Sequence, residues 1–515
     1  MDKSPRVLHP FLFSIFPVIF LYAHNVGEVF VSQVIAPLAI CLAGGVLLWG
    51  AISAVSRGKL KSGILTSLML IGFFSYGHFF NLVDGAQIGS FKFGLHTYML
   101  VVWTLVFALP VVFVFMTKRS LDICTKILNV IAVCLVVISA GNIAAFHFKS
   151  VVRTGGIEVS RLPDDNVVVD ASKLENKPNI YYIVLDEYAR ADILEKEFDH
   201  DSSPFLSHLK DNGFFVSKNS RANYVHTLLS IPSSINFQYL DDVAKKCGSE
   251  STDVRPMKEM FLNNRAFKFL KDIGYTTVSF SSGYNTTELN NTDHYLKWVF
   301  IANDFVIELL DSTLLASVGK FSRDIHYARY KKLHYIFEEL AETARMSSPH
   351  VVFAHILCPH EPYVLDENGR LTWQVGYYKS DGLEFMVNEQ KRKYLAQLKY
   401  VDKRITQIVD DILANSKIKP VIIIQADHGV RLRLKGESDK SVVTSRNECR
   451  FAILNALHLP GFDYSKLDNN ITPVNTFRFI FNHYFGTEFE ILENKNFAST
   501  SPYYYKFKDV TDSLN

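Results

Sequence analysis

The sequence predicts two parts of different class: an N-terminal five-helix transmembrane domain, and an extracytoplasmic α/β domain with a mainly parallel sheet covered by helices on both faces. Three observations carry this. Five long apolar stretches fall before Ser150. Basic residues gather in alternate loops between them. Beyond Asn179, short continuous apolar runs alternate with helical patterns, which is how a sheet buried on both sides reads.

The stretches run Pro10–His24, Val31–Val55, Ser62–Leu82, His96–Met116 and Leu121–Ala145. Most reach the about 20 residues that a helix needs to cross hydrocarbon. The first is short enough for a signal peptide, but four more spans follow it and no clear small-residue cleavage site appears. Lys3 and Arg6 precede the first span; Arg57, Lys59 and Lys61 follow the second; Lys118, Arg119 and Lys126 follow the fourth. The other loops carry only Lys92. Lys and Arg mark the cytoplasmic side, so after five crossings everything past His147 is expected outside. This gives a transmembrane domain at 1–148, a polar linker at 149–178 and an outer domain at 179–515.

The chain has 515 residues and a formal charge of +2, which implies no bulk attraction to nucleic acid. Cys41, Cys124 and Cys134 lie within the spans, and Cys247, Cys358 and Cys449 beyond them. Three outer cysteines allow at most one disulfide, and without a CxxC pair they read as small buried hydrophobes.

In the outer domain "NIYYIVLD" is a buried strand, "SPFLSHLKDNG" a helix ending at Gly213, and "FFV" a new strand. "RAFKFLKDIG" is a helix followed by the strand "YTTVSFSS"; later come "HVVFAHIL", a helix from about Glu384 to Ser416, and "VIIIQADHG". Working residues in such sheets lie beyond the carboxyl ends of the strands. Asp186–Glu187 and Asp427–His428 fall there.

Four segments carry chemistry-capable residues: Asp186 with Glu187, "NYVHTLLSIPSS" with Thr227, "HILCPHEPY" with His360, and "IIIQADHGV" with Asp427, His428 and Gly429. Singly, each has an ordinary explanation. An acidic pair can be a solvated loop, a threonine before a helix an N-cap, a histidine between prolines structural, and the glycine of "DHG" a turn residue with positive φ. Together they supply oxygen and nitrogen donors that suit zinc or manganese, and a hydroxyl for such an ion to activate.

The outer domain resembles the alkaline phosphatase and sulfatase superfamily, and more narrowly its membrane-bound branch, which includes lipid A phosphoethanolamine transferases and lipoteichoic acid synthase. The similarity covers most of Ile180 to about Pro460. Glu187 in "DEYARAD" matches the family's metal-binding acid, and Asp186 the extra acid of sulfatases. Thr227 in "TLLSIPS" matches the threonine nucleophile, Asp427 and His428 the "SDHG" metal pair, and His360 in "PHEP" a substrate-facing histidine. The resemblance implies one or two divalent ions, zinc or manganese, held by Glu187, Thr227, Asp427 and His428, with Asp186 beside them. Such a cation would make the adjacent carboxylates tolerable.

It also implies an enzyme of a bacterial inner membrane with its catalytic domain on the periplasmic side. That enzyme would move phosphoethanolamine or phosphoglycerol from a membrane phospholipid to an envelope glycan or glycolipid, through a phospho-threonine. The alternatives are a membrane-anchored metal-dependent phosphodiesterase, phosphatase or sulfatase-like hydrolase, and a non-catalytic scaffold. No Cys-x-Pro-Ser-Arg motif is present, which counts against sulfate ester hydrolysis. "VRLRLKGES" and "NECRFAILNALHLPG" replace the segment that follows Asp-His-Gly in phosphoethanolamine transferases.

Overall fold

The computed structural model describes residues 4–56, 58–83, 87–88, 91–92, 96–154, 169–175, 177–298, 304–317, 319–372, 383–431 and 447–514. The chain forms two compact units, Met1–Gly155 with Phe300–Ile325, and Gly156–Val299 with His326–Asn515.

In the first unit the apolar stretches become α1 (His9–His24), α2 (Val31–Ser56), α3 (Lys59–Val83), α4 (His96–Met116) and α5 (Asp122–Thr154). A small ribbon, β1 (Gln87–Ile88) with β2 (Phe91–Lys92), lies between α3 and α4. Among the described residues, four helical segments are long and apolar enough to cross a membrane: Val31–Ser56, Lys59–Val83, Tyr98–Met116 and Asp122–Lys149. The fifth expected span, α1, has 16 residues. That is about 24 Å of helix, short of the ~30 Å hydrocarbon thickness. It packs against α2, α3 and α5, burying Phe13, Val18 and Tyr22. Leu47, Leu109 and Ile123 point outward from α2, α4 and α5 and are exposed. Apolar side chains spread over outer helix faces suit contact with lipid.

Residues Phe300–Ile325, which the sequence reading gives to the outer domain, group with this unit. Phe305 and Leu309, on a helix at Asp304–Asp311, pack in one apolar cluster with Val18, Tyr22 and Val34. Gly77 donates its N–H to the Ser312 carbonyl at 2.9 Å. A Cβ at Gly77 would stand 2.0 Å from the Asp311 carbonyl oxygen, so only glycine permits this approach. The expected linker at 149–178 also differs in detail. Helix α5 continues to Thr154, and Ala171–Leu174 form a 3-10 turn whose N-cap, Asp170, accepts from Ser172 N. Residues 155–168 and 176 of that linker lie outside the described residues.

The second unit is built on β3 (Ile180–Leu185), β4 (Phe214–Val216), β5 (Thr276–Phe280), β6 (His294–Leu296), β7 (His350–Ile356), β8 (Val421–Ala426) and β9 (Asn455–His458). Their spatial order is β4-β9-β8-β3-β7-β5-β6. The run from β8 to β6 is parallel throughout, and β9 is antiparallel to both its neighbours. The expected mainly parallel sheet is therefore present.

Strand side chains alternate between faces, and β3 shows why its sequence is continuously apolar. Tyr181, Ile183 and Leu185 enter one core with α6 (Ala191–Phe198), α7 (Ser203–Asp211), α13 (Gly319–Glu342) and α14 (Leu383–Asn415). Ile180, Tyr182 and Val184 enter the opposite core with α8 (Thr227–Ile235), α10 (Arg255–Leu262), α11 (Arg265–Asp272) and α16 (Pro473–Phe485). Each such aliphatic side chain contributes about 1.5–3 kcal/mol on burial, so the strand is fixed in register from both sides. Helix α9 (Asp241–Cys247) lies in a satellite cluster with a C-terminal hairpin, β10 (Phe497–Thr500) and β11 (Tyr503–Asp509). The short α15 (Asn447–Phe451) leads into β9. None of the six cysteines forms a disulfide, and the outer three are buried.

Candidate metal centre and nucleophile

The register of the central strands assembles the site. Leu185 pairs with both Ile356 and Ala426, so β7, β3 and β8 end level with one another. Val184, His355 and Gln425 also pair and so face one side, the side on which α8 packs. Asp186 and Asp427 come two residues after Val184 and Gln425. Period-two alternation brings them to the same face, immediately beyond the sheet edge.

Helix α8 delivers the threonine. Thr227 is its first residue; His226 stands at the N-cap position, with no side-chain capping bond. The Thr227 hydroxyl instead donates to Asp427 Oδ2 at 2.6 Å and lies 3.2 Å from His428 Nε2. Ser230, one turn on, donates to the Asp427 carbonyl at 2.5 Å. The helix end is thus pinned to the end of β8 at both its side chain and its backbone.

Glu187 has φ of 62°, a left-handed conformation uncommon outside glycine. Its N–H donates to Asp427 Oδ1 at 3.2 Å, and its carbonyl accepts from the Tyr394 hydroxyl at 2.8 Å. Its carboxylate lies 3.3 Å from Arg450 Nη1 and 3.9 Å from His360 Nε2. Arg450 also donates to the Val225 carbonyl at 2.6 Å, two residues before Thr227. Arg190 of "DEYARAD" turns away to Asp192 and to the Ser220 carbonyl.

Gly429 is not at a positive φ, so the ordinary turn explanation of "DHG" does not apply. A Cβ there would stand 2.0 Å from the Cys449 carbonyl oxygen and 2.8 Å from that of Ala452. The glycine is required by close backbone approach, with its N–H donating to the Arg450 carbonyl at 2.8 Å.

The electrostatics follow from burial. Asp186, Glu187 and Asp427 are each 5% exposed or less. Burial, then the neighbouring Asp427 charge, raises the Asp186 carboxyl well above its usual range. Burial likewise raises Glu187, opposed by His360 and Arg450. Burial alone depresses His360, but the Asp186 and Glu187 carboxylates outweigh it and lift the imidazole to about 9. Burial also depresses His428 well below the usual imidazole value and takes His355 to about 4. Histidines held neutral are able to ligate a metal ion.

Sequence reasoning missed His355. It sits inside β7, in a stretch that reads as buried strand. Its Nε2, the Asp186 carboxylate and the Asp427 carboxylate lie within 4.8 Å of one another. Asp186 Oδ1 and His355 Nε2 make no hydrogen bond although both are buried. Buried polar atoms are almost always satisfied, so these two orphans fit a cation. The donor set of carboxylate, imidazole and hydroxyl suits a divalent metal ion. Of the two segments that follow Asp-His-Gly, "VRLRLKGES" lies outside the described residues apart from Val430 and Arg431.

Residues 178–453, more than half of the chain, match the family model described as Sulfatase. Among solved structures, the chain is similar to the C-terminal periplasmic domain of EcEptC from Escherichia coli in complex with zinc, at 12% identity and a TM-score of 0.45, covering 68% of this chain and 96% of that one. It is similar to the lipooligosaccharide phosphoethanolamine transferase EptA from Neisseria meningitidis at 12% identity and a TM-score of 0.41, covering 91% of this chain and 94% of that one. A putative sulfatase from Bacteroides thetaiotaomicron follows at 12% identity and a TM-score of 0.39, covering 64% of this chain and 75% of that one. No curated protein matches. With its strand-end acids, its helix-borne threonine and a family match over the whole of the sheet up to Ile453, the chain belongs to the sulfatase family.

Proposed function

We propose that this chain is a metal-dependent transferase that moves a phospho-headgroup, phosphoethanolamine or phosphoglycerol, from a membrane phospholipid to an envelope glycan or glycolipid. Thr227 is its nucleophile. The observation that carries this reading is the Thr227 hydroxyl, directed at Asp427 Oδ2 at 2.6 Å and next to His428 Nε2 at 3.2 Å. Thr227 is the first residue inside α8, after the N-cap His226, and its hydroxyl is turned to these two side chains of the strand end.

Glu187, Thr227, Asp427 and His428 would hold the metal, with Asp186 beside them. When bound, a divalent ion supplies Lewis-acid stabilisation of negative charge on oxygen at neutral pH. The chain's own residues do the rest. Asp427 Oδ2, which accepts the Thr227 hydroxyl hydrogen bond, takes that proton as the oxygen attacks. Thr227 Oγ1 attacks phosphorus, a P–O bond forms there, and the P–O bond to diacylglycerol breaks. His360, in its protonated form, gives a proton to the departing glycerol oxygen. In the second half neutral His360 takes the proton of an acceptor hydroxyl as that oxygen attacks phosphorus, the bond to Thr227 breaks, and Asp427 returns a proton to the threonine oxygen. The apolar helices of the first unit fit a lipid donor, and a multi-pass inner-membrane location with the second unit on the periplasmic side fits an envelope acceptor.

The test is mass spectrometry of envelope glycolipids and phospholipids from cells expressing the chain or its Thr227→Ala variant. Headgroup-modified glycolipid and free diacylglycerol are expected with the unaltered chain alone. Free phosphorylated headgroup without modified glycolipid would make the chain a hydrolase. Identical spectra for the two proteins would overturn the covalent mechanism.

A further inference from the structure

The four family positions leave His355 unexplained. Its ring is wholly buried at the end of β7. Its Nδ1 is engaged by the Thr287 hydroxyl at 2.8 Å. The other ring nitrogen, Nε2, stands 3.6 Å from Asp186 Oδ2, too far for a hydrogen bond, and finds no other partner. Asp186 Oδ1 is orphaned beside it. An outer-shell partner on one ring nitrogen with the other left bare is the arrangement by which proteins orient metal-ligating histidines. A histidine buried for packing alone would leave Nε2 satisfied. Asp427 completes the group, with the three donors inside 4.8 Å. The Thr227 hydroxyl and His428 lie against Oδ2 of that same Asp427.

We propose that His355 is a metal ligand: with Asp186 and Asp427 it forms a second divalent-cation position, next to the one at Glu187, Thr227, Asp427 and His428, and Asp427 serves both. Thr287 is a positioning residue that fixes the His355 tautomer. The inference rests on the metal-centre reading above and adds a ligand that the family motifs do not supply. Two cations side by side also account for Asp186 and Glu187 being adjacent acids, each facing its own ion. Two oxygens and one nitrogen leave the second position open to a substrate oxygen or to water.

The test uses the full-length chain purified in detergent, stripped with a chelator and titrated separately with zinc and with manganese, metal content being read by elemental analysis and binding by calorimetry. The unaltered chain is expected to take up two ions of one of these metals, and His355→Ala only one. Thr287→Val is expected to keep two ions while weakening the second binding step by about tenfold or more, the usual outer-shell effect. Equal metal content in the unaltered chain and His355→Ala overturns the proposal. So does a single ion that His355→Ala abolishes, because His355 would then belong to one undivided centre. Should His355→Ala fail to fold, Thr287→Val decides: two unaltered binding steps overturn the proposal. A count of one ion that ignores His355 leaves the Thr227 mechanism untouched, since that stands on the products of Thr227→Ala. A chain that takes up neither metal sinks the metal reading as a whole.

Discussion

The Thr227 hydroxyl and the Asp427 carboxylate lie 2.6 Å apart although 200 residues separate them in the chain. A helix start and a strand end must both be in place for that contact to exist. The contact therefore reports the whole packing of α8 on the sheet.

The nucleophile assignment predicts a steep dependence on the hydroxyl. Thr227→Val keeps the shape of the side chain and removes the oxygen, so transfer should fall by about 10⁴-fold or more, as for other lost nucleophiles. Thr227→Ser restores the oxygen and should recover most of the activity. Initial rates of headgroup transfer with a fluorescent phospholipid measure both. Equal rates for the Val and Ser variants would contradict the assignment.

Gly429→Ala should unfold the site through its backbone. The added Cβ meets two carbonyl oxygens, of Cys449 and Ala452, at 2.0 and 2.8 Å. Neither belongs to a flexible side chain, so β8 or the segment around α15 has to move. A cost of about 3 kcal/mol or more is expected, seen as a large drop in Tm. A Tm within a degree of the unaltered chain would mean that the two segments are not packed as described.

Asp402 gives a stability-versus-pH prediction away from the metal ligands. Burial pushes its carboxyl up to about 7, and the Tyr188 hydroxyl donates to it at 2.5 Å. The ordinary value is about 3.9, so between about 4 and 7 the folded chain holds a proton that the unfolded chain has lost. Stability from this group then falls as pH rises through that window and is level above it. Asp402→Asn is neutral throughout. Its Tm relative to the unaltered chain should therefore rise between pH 5 and 8, and a difference independent of pH would contradict the assignment.

A chain that starts at Lys177, and so lacks α1 to α5, should carry an exposed apolar helix. In a chain starting at Lys177, α12 (Asp304–Asp311) loses the first-unit partners of Phe305 and Leu309. Light scattering should show association that the double substitution Phe305→Gln and Leu309→Gln relieves. A monodisperse unaltered segment would argue against the described packing.

Much of this was legible in the sequence, for definite reasons. "IYYIVL" and "VIIIQA" are continuously apolar because both sheet faces are covered, and the acids that follow each mark the carboxyl edge. Arg450 was not legible in the sequence, since its link to Glu187 crosses from α15 to the end of β3. His355 was hidden because a histidine within "VVFAHIL" reads as strand, and its orphaned nitrogen exists only in three dimensions. The need for glycine at Gly429 was not legible, because it comes from close approach to the Cys449 and Ala452 carbonyls, which lie 20 residues or more further along the chain. The grouping of Phe300–Ile325 with the first unit gave no warning either, because a helix as short as Asp304–Asp311 has the pattern of any amphipathic surface helix. The antiparallel β9 was likewise masked, four residues being too few for a period to declare itself.

The most direct measurement is peptide mass spectrometry of the full-length protein after incubation with phospholipid in the absence of acceptor. The account predicts that the peptide containing Thr227 gains the mass of the donor's phospho-headgroup, and loses it when glycolipid acceptor is added. Product formation with Thr227 unmodified throughout, or with the adduct on another residue, would contradict it.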